Sequence, residues 1–255
     1  MFLERYHSIQ DGNLLISAQQ GSRFAKEVAG DFNPIHNPDA RRFCVPGDLL
    51  FALLVSHFGL FRQMTFHFRS LLGDSVPLTF REDADGLIRV CDGRDKVYIE
   101  VECEGEPTHD QDIIEHLIRS YVAESGKNFP HTIKPLMEKE GVMFNPDRPM
   151  IMYQSMSLSL NTLDAPEPEL ELGHTELVPD GKRGSVTLDY RLMSRGEEAG
   201  QVSKKLVVSG LRDYDAQAMN AVVEQFYRLK EKPGTDAGPI RPARTSCGYS
   251  RSACG

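Results

Sequence analysis

Tryptophan is absent from this 255-residue chain, so aromatic packing falls to 13 Phe and 8 Tyr. Cysteine is scarce. The five (Cys44, Cys91, Cys103, Cys247 and Cys254) are an odd, scattered set without a C-x-x-C pair, which argues against a disulfide framework and a zinc site. Reduced thiols in a cytoplasmic protein are the expectation. No run of about eighteen apolar residues occurs, so no membrane span is expected. The longest apolar stretch, residues 49–60, is broken by Ser56 and His57. The amino terminus lacks the basic start and apolar block of a signal peptide. Basic residues are in deficit, 29 Lys and Arg against 37 Asp and Glu, for a net charge of −8. That argues against a sequence-independent grip on nucleic acid. An anionic ligand would need a local basic patch.

What is present suits a soluble folded protein, with 40% hydrophobic and 26% charged residues. The length suits two small domains. Alternation around Leu14, Ile16 and Ala18, after a turn at Asp11-Gly12-Asn13, predicts an entry strand. Residues 20–29 read as a short helix capped by Ser22, and residues 48–60 as a buried helix with Asp48 suiting its dipole. Met64, Phe66 and Phe68 then alternate with polar residues, and further strands are predicted at 76–80, 87–91 and 97–103. The second half echoes this plan. A helix over 113–124 ends in Gly126-Lys127-Asn128-Phe129-Pro130, with Lys127 where the first half has Asp31. Residues 153–160 resemble 61–68 in pattern, strands follow at 170–177, 185–193 and 201–209, and a helix at 214–229. Residues 233–255, rich in Pro, Gly, Ser and Arg, read as a disordered tail.

Between the first two helices lies Gly30-Asp31-Phe32-Asn33-Pro34-Ile35-His36. A carboxylate and an imidazole in one stiff turn can move protons near neutral pH. Asn33 would bond its own backbone and Pro34 would rigidify the loop. An isolated Asp-x-Asn-Pro-x-His is more often only a well-made turn. Here a predicted apolar helix stands on each side.

At residues 24–36 the sequence resembles the R-specific enoyl-CoA hydratases and the wider MaoC-like dehydratases, whose hallmark is a helix ending in Gly-Asp-x-Asn-Pro-x-His. Val45-Pro46-Gly47, Met64 to Phe68 and Gly73-Asp74-Ser75-Val76 look like the steps that follow in that family. The likeness covers residues 14–105; the whole chain points to an uncharacterised proteobacterial family, from which no function carries over. Pro46 and Asp48 depart from the family's usual histidine and apolar residue on either side of Gly47. The resemblance implies a hot-dog fold, an antiparallel sheet around a central helix. We therefore expect an α+β double hot-dog with a pseudo-two-fold axis. Its parts would be a hydratase-like unit at 1–108, a degenerate unit at 109–232 and the tail at 233–255.

The function implied is hydration or dehydration of an enoyl or 3-hydroxyacyl thioester of CoA or an acyl-carrier protein. Asp31 and His36 would be catalytic. Gly47 would offer a backbone donor to the thioester oxygen, with Asn33 and Pro34 supporting the loop. Ser56, Arg41 and Arg42 are weaker candidates for substrate contact. His57, His67, His131 and Cys44 read more simply as structural side chains. No metal or cofactor beyond the thioester ligand is expected, and the partners expected are that small molecule and, in a homodimer, a second copy; a monomer would serve equally. A non-catalytic thioester sensor and a structural partner subunit are the alternatives.

Overall fold

A computed structural model describes residues 2–84 and 86–231. The predicted tail, with Cys247 and Cys254, lies outside the described residues. After a 3-10 turn, Phe2–Tyr6, the chain forms a hairpin of β1 (Ser8–Gln10) and β2 (Asn13–Leu15). Asp11 and Gly12 turn it, both at positive φ, as a two-residue hairpin loop of this hand requires. Helix α1 (Ala18–Phe24) follows. Its cap is Ser17 rather than the expected Ser22: Ser17 Oγ accepts the Gln20 N–H, and the Gln20 side chain accepts the Ser17 N–H. Ser22 is buried within the helix. A π-turn, Ala25–Ala29, extends α1 to Gly30, whose φ of 65° ends it.

Helix α2 (Gly47–Phe58) is apolar on every side, and Leu49 through Val55 are all buried. It packs between the sheet and α3 (Gln111–Ala123), an amphipathic helix capped by Asp110. Phe51 marks the sandwich. It meets Phe66 of the sheet edge-on at 5.1 Å and stacks on Tyr121 of α3 at 4.2 Å.

The strands β3 (Gln63–Phe68), β4 (Leu78–Glu82), β5 (Ile88–Asp92) and β6 (Val97–Glu104) complete the first half. After α3 come α4 (Ser125–Asn128), a π-turn at Phe129–Ile133, α5 (Lys134–Lys139) and β7 (Val142–Met143). Gly126 thus sits within a helical turn, whereas Gly30 ends one. Strands β8 (Met150–Leu160), β9 (Pro168–Asp180), β10 (Arg183–Ser194) and β11 (Glu197–Ser209) then form a long meander. β12 (Arg212–Asp213) pairs with β7 apart from the main sheet, and α6 (Ala216–Glu231) ends the described chain.

Both halves belong to one ten-stranded antiparallel sheet, ordered β1-β2-β4-β5-β6-β3-β8-β11-β10-β9. The order β3-β6-β5-β4 on one side of the seam is mirrored by β8-β11-β10-β9 on the other. At the seam Phe66 lies opposite Met156 and Met64 opposite Leu158, all four buried. The sheets of the two halves are joined, because β3 offers its free edge to β8. Such pairing removes two open edges. Among the described residues no helix is long and apolar enough to cross a membrane.

Candidate functional site

The loop after Gly30 is shaped by its own polar side chains. Asp31 Oδ1 accepts the Asn33 N–H at 2.9 Å, and Asn33 Oδ1 accepts the Ile35 N–H at 3.2 Å. Asn33 thereby caps a 3-10 turn, Pro34–His36, with Pro34 at its first position, where a missing N–H costs nothing. The Cys44 N–H bonds the Ile35 carbonyl at 3.0 Å and the Val45 N–H bonds the Leu72 carbonyl at 2.8 Å. These bonds pin both ends of the 37–43 excursion.

His36 is fixed by the same clamp. Its Nδ1 lies 2.7 Å from the Cys44 carbonyl oxygen. A carbonyl only accepts, so Nδ1 carries the proton. In the neutral ring Nε2 is then an acceptor, and it stands 3.6 Å from Asp31 Oδ2. Two acceptors at that distance cannot bond one another. A molecule with two O–H hydrogens can satisfy both. The two side chains are 12% and 22% exposed, His36 first.

Asp31, Asn33, Pro34, His36, Gly47 and Asp48 all line one cavity of about 400 Å³. Its remaining wall is largely apolar and comes from the end of β3, the α4 region, β8, β11 and α6. α6 contributes Val222, Gln225, Phe226 and Leu229, one helical face. The Phe226 ring meets Phe32 and Phe129, each at 5.8 Å. α2 begins at this cavity with no side-chain cap, Pro46 standing at the N-cap, so its first N–H groups are available donors. Gly47 is required there. A Cβ would lie 2.9 Å from the Tyr153 ring and 3.0 Å from that of Phe68.

Ser56, Arg41 and Arg42 do not line the cavity. Ser56 lies nine residues beyond Gly47, roughly 13 Å along the helix. Arg41 and Arg42 are exposed on the 37–43 excursion. Cys44 contributes its carbonyl rather than its thiol, which burial pushes up to about 11, away from nucleophilic character. Among the described residues no cluster of His, Cys, Asp or Glu is arranged to hold a metal ion.

Sequence reasoning missed a second polar group in the same wall. Asp48 is 2% exposed. Its Oδ1 accepts the Ser125 hydroxyl at 3.0 Å and the Tyr153 hydroxyl lies at 3.4 Å. Lys204, fully buried on β11, donates to Ser125 Oγ at 3.2 Å and to the Tyr121 carbonyl at 3.0 Å. Its ammonium also sits 4.1 Å from the Tyr121 ring centre. Beside it Tyr190 donates to Asn128 Oδ1 at 2.8 Å. Burial pushes the Asp48 carboxyl up to about 6, against the pull of Lys204 and Ser125. Burial likewise lowers the Lys204 ammonium to about 8. A signal existed for Lys204: it shares the inward register of β11 with Val202, Leu206 and Val208.

No curated protein shows a matching sequence. The structure is similar to an acyl-CoA thioesterase II, TesB2, from Mycobacterium marinum, at 9% identity over 85% of this chain and 99% of that one, with a TM-score of 0.40. It is also similar to a conserved protein of unknown function with hot dog fold from Alicyclobacillus acidocaldarius, at 8% identity over 82% and 98% of the two chains (TM-score 0.43). A MaoC-like dehydratase matches at 8% identity over 79% and 97%, with a TM-score of 0.39. Residues 1–217 match the model of a family described as protein of unknown function (DUF3581), and the chain belongs to that family.

Proposed function

We propose that this protein adds water to, or removes it from, an enoyl or 3-hydroxyacyl thioester of CoA or an acyl-carrier protein. In this reading the chain is a double hot-dog, one unit ending at 108 and the other beginning at 109, sharing their sheet, and Asp31 and His36 handle the proton. The observation that carries the reading is the pair of facing acceptors, His36 Nε2 and Asp31 Oδ2, 3.6 Å apart at the cavity wall. Water can donate one O–H to each. As its oxygen bonds to the β-carbon, one proton passes to the pair, and the alkene's π electrons move towards the α-carbon and the thioester oxygen. The Gly47 N–H is the donor we assign to that oxygen. The proton then returns to the α-carbon, so the water is divided between the two carbons and no other reactant is consumed. The apolar wall formed by Phe32, Phe129 and Phe226 suits an acyl chain.

The test is hydration of crotonyl-CoA and longer homologues. Asp31→Asn and His36→Ala should each lower kcat/KM by about a hundredfold or more. No turnover across a panel of chain lengths would contradict the reading. One observation favours the alternative of a binding protein without turnover. Asp48 occupies the first turn of α2, and an ionised carboxylate there would oppose negative charge on the ligand's oxygen. That alternative expects enoyl and saturated thioesters to stabilise the fold equally, and Asp31→Asn to bind both as well as the parent does.

A further inference from the structure

The first turn of α2 brings two unlike groups to the cavity wall, the uncapped backbone N–H of Gly47 and the Asp48 side chain. We propose that Asp48 is a further ligand-contacting residue of this site, which in its protonated form donates a hydrogen bond to the ligand's carbonyl oxygen. The proposal rests on the thioester reading and removes the objection that Asp48 raises against turnover.

Its geometry is that of a carboxyl group held by neutral partners. Asp48 Oδ1 is taken by the Ser125 hydroxyl, while Oδ2 has only the Tyr153 hydroxyl at 3.5 Å. The Ser125 proton goes to Asp48, so the Ser125 oxygen accepts from Lys204 and can accept from Tyr153 at 2.8 Å. The ammonium thus stops one hydroxyl short of the carboxyl group. Oδ2, with that one long contact, can carry a proton, and Asp48 is among the residues that line the cavity. Tyr153 is locked in place because its ring packs against Gly47, where any Cβ would collide with it.

The two acids of the cavity differ in surroundings. Asp31 accepts a backbone N–H and is partly exposed, whereas Asp48 is enclosed and depends on hydroxyls. Separate environments of this kind let one carboxyl group stay ionised and another hold a proton. The charges around Asp48 are of both signs. Lys204, and His36 when protonated, favour its ionised form and Asp31 opposes it, while burial opposes it most. Tyr121, Tyr153 and Tyr190 all interact with its charge, and burial raises all three above the ordinary phenol value, so they remain neutral. Glu124 pairs with Lys127 and acts on Lys204 only through its charge.

In water addition the Asp48 proton need not leave. It shortens its hydrogen bond to the thioester oxygen while charge resides there and relaxes as the α-carbon takes the proton returned from the Asp31–His36 pair. The predicted result is a site that binds carbonyl ligands best when Asp48 is protonated.

The experiment has two arms on the full chain. Carbon-13 NMR of aspartate carboxyl groups should show one resonance, absent from Asp48→Asn, titrating at about 6. Ser125→Ala, which leaves the carboxyl group in place, should move it upward; a midpoint at or below the ordinary 3.8 overturns the proposal. Calorimetry with butyryl-pantetheine, a saturated thioester without phosphate groups, forms the second arm. The parent protein should bind about tenfold tighter at about pH 5 than at about pH 8, one good hydrogen bond being worth about that factor. Asp48→Asn, whose amide donates at both pH values, should bind equally at both. Binding by the parent without the pH step, or a step that survives in Asp48→Asn, overturns the ligand contact alone. No binding by either protein overturns the thioester reading and this contact together.

Discussion

Asp31 and Asp48 are the same side chain given different properties by their neighbours. One sits in a loop that supplies a backbone donor, the other where three tyrosines and a lysine have displaced water. The second environment makes a stability prediction with a definite sign. The Asp48 carboxyl group is raised from 3.8 to about 6 in the folded chain, so between those values the native state binds more protons than the unfolded one. Stability from this group is therefore full below about 3.8 and falls as pH rises through about 6. Lys204, lowered from 10.5 to about 8, acts in the opposite sense, and stability rises between those values. Urea unfolding across the acid range should show the Asp48 slope in the parent and not in Asp48→Asn; parallel profiles would contradict it. Tyr121 gives a simpler expectation. Its hydroxyl is buried and makes no hydrogen bond among the described residues, while its ring and carbonyl hold Lys204. Tyr121→Phe keeps ring and carbonyl and should leave stability unchanged or raise it by about 1 kcal/mol; a marked fall in the urea midpoint would contradict that.

At the scale of elements, the site depends on two irregularities. One is a bulge in β8. Met156, Leu158 and Leu160 alternate inward, and strict alternation would bring Gln154 inward next. The register with β11 shifts there, so Leu206 faces Tyr153 directly after Lys205 faces Ser155. Tyr153 is thereby turned to Asp48, as bulges beside sites often re-aim a side chain. The other is the contact of α4 with the Asp31 loop. A Cβ on Gly126 would lie 2.4 Å from the carbonyl oxygens of Ala29 and Gly30. Backbone cannot yield as a side chain can. Gly126→Ala should cost about 2 kcal/mol or more by overpacking and displace Asp31 from His36, measurable as a lower unfolding midpoint and altered His36 NMR shifts. An unchanged midpoint would show the contact to be loose. These irregularities also mark what the sequence could convey. Asp31 and His36 were readable because their geometry is written within seven consecutive residues. Ser125 and Tyr153 were not, and the inward register of Lys204 showed its burial but not its neighbours, because a bulge and a pairing across the chain bring these residues to Asp48. The Ser17 cap was legible after all, since Ser17 and Gln20 have the Ser-x-x-Gln spacing of a capping box.

For the whole molecule, the strand and helix periods were legible nearly everywhere, and the extent of the joined sheet was not. Apolar alternation in β3 and β8 gives each strand a face but no partner. The seam between Phe66 and Met156 arises from edge pairing over long sequence separation. That seam lets one cavity be lined by the Asp31–His36 loop of one half and by Phe129, Phe144 and α6 of the other. In the function we propose, this shared cavity brings water to an enoyl thioester through Asp31 and His36. Following loss of the conjugated thioester absorbance with crotonyl-CoA and longer homologues tests it most directly. The parent protein should turn over the thioester, with a fall of about a hundredfold or more in Asp31→Asn and His36→Ala. Absence of turnover at every chain length, or turnover that survives Asp31→Asn intact, would contradict it.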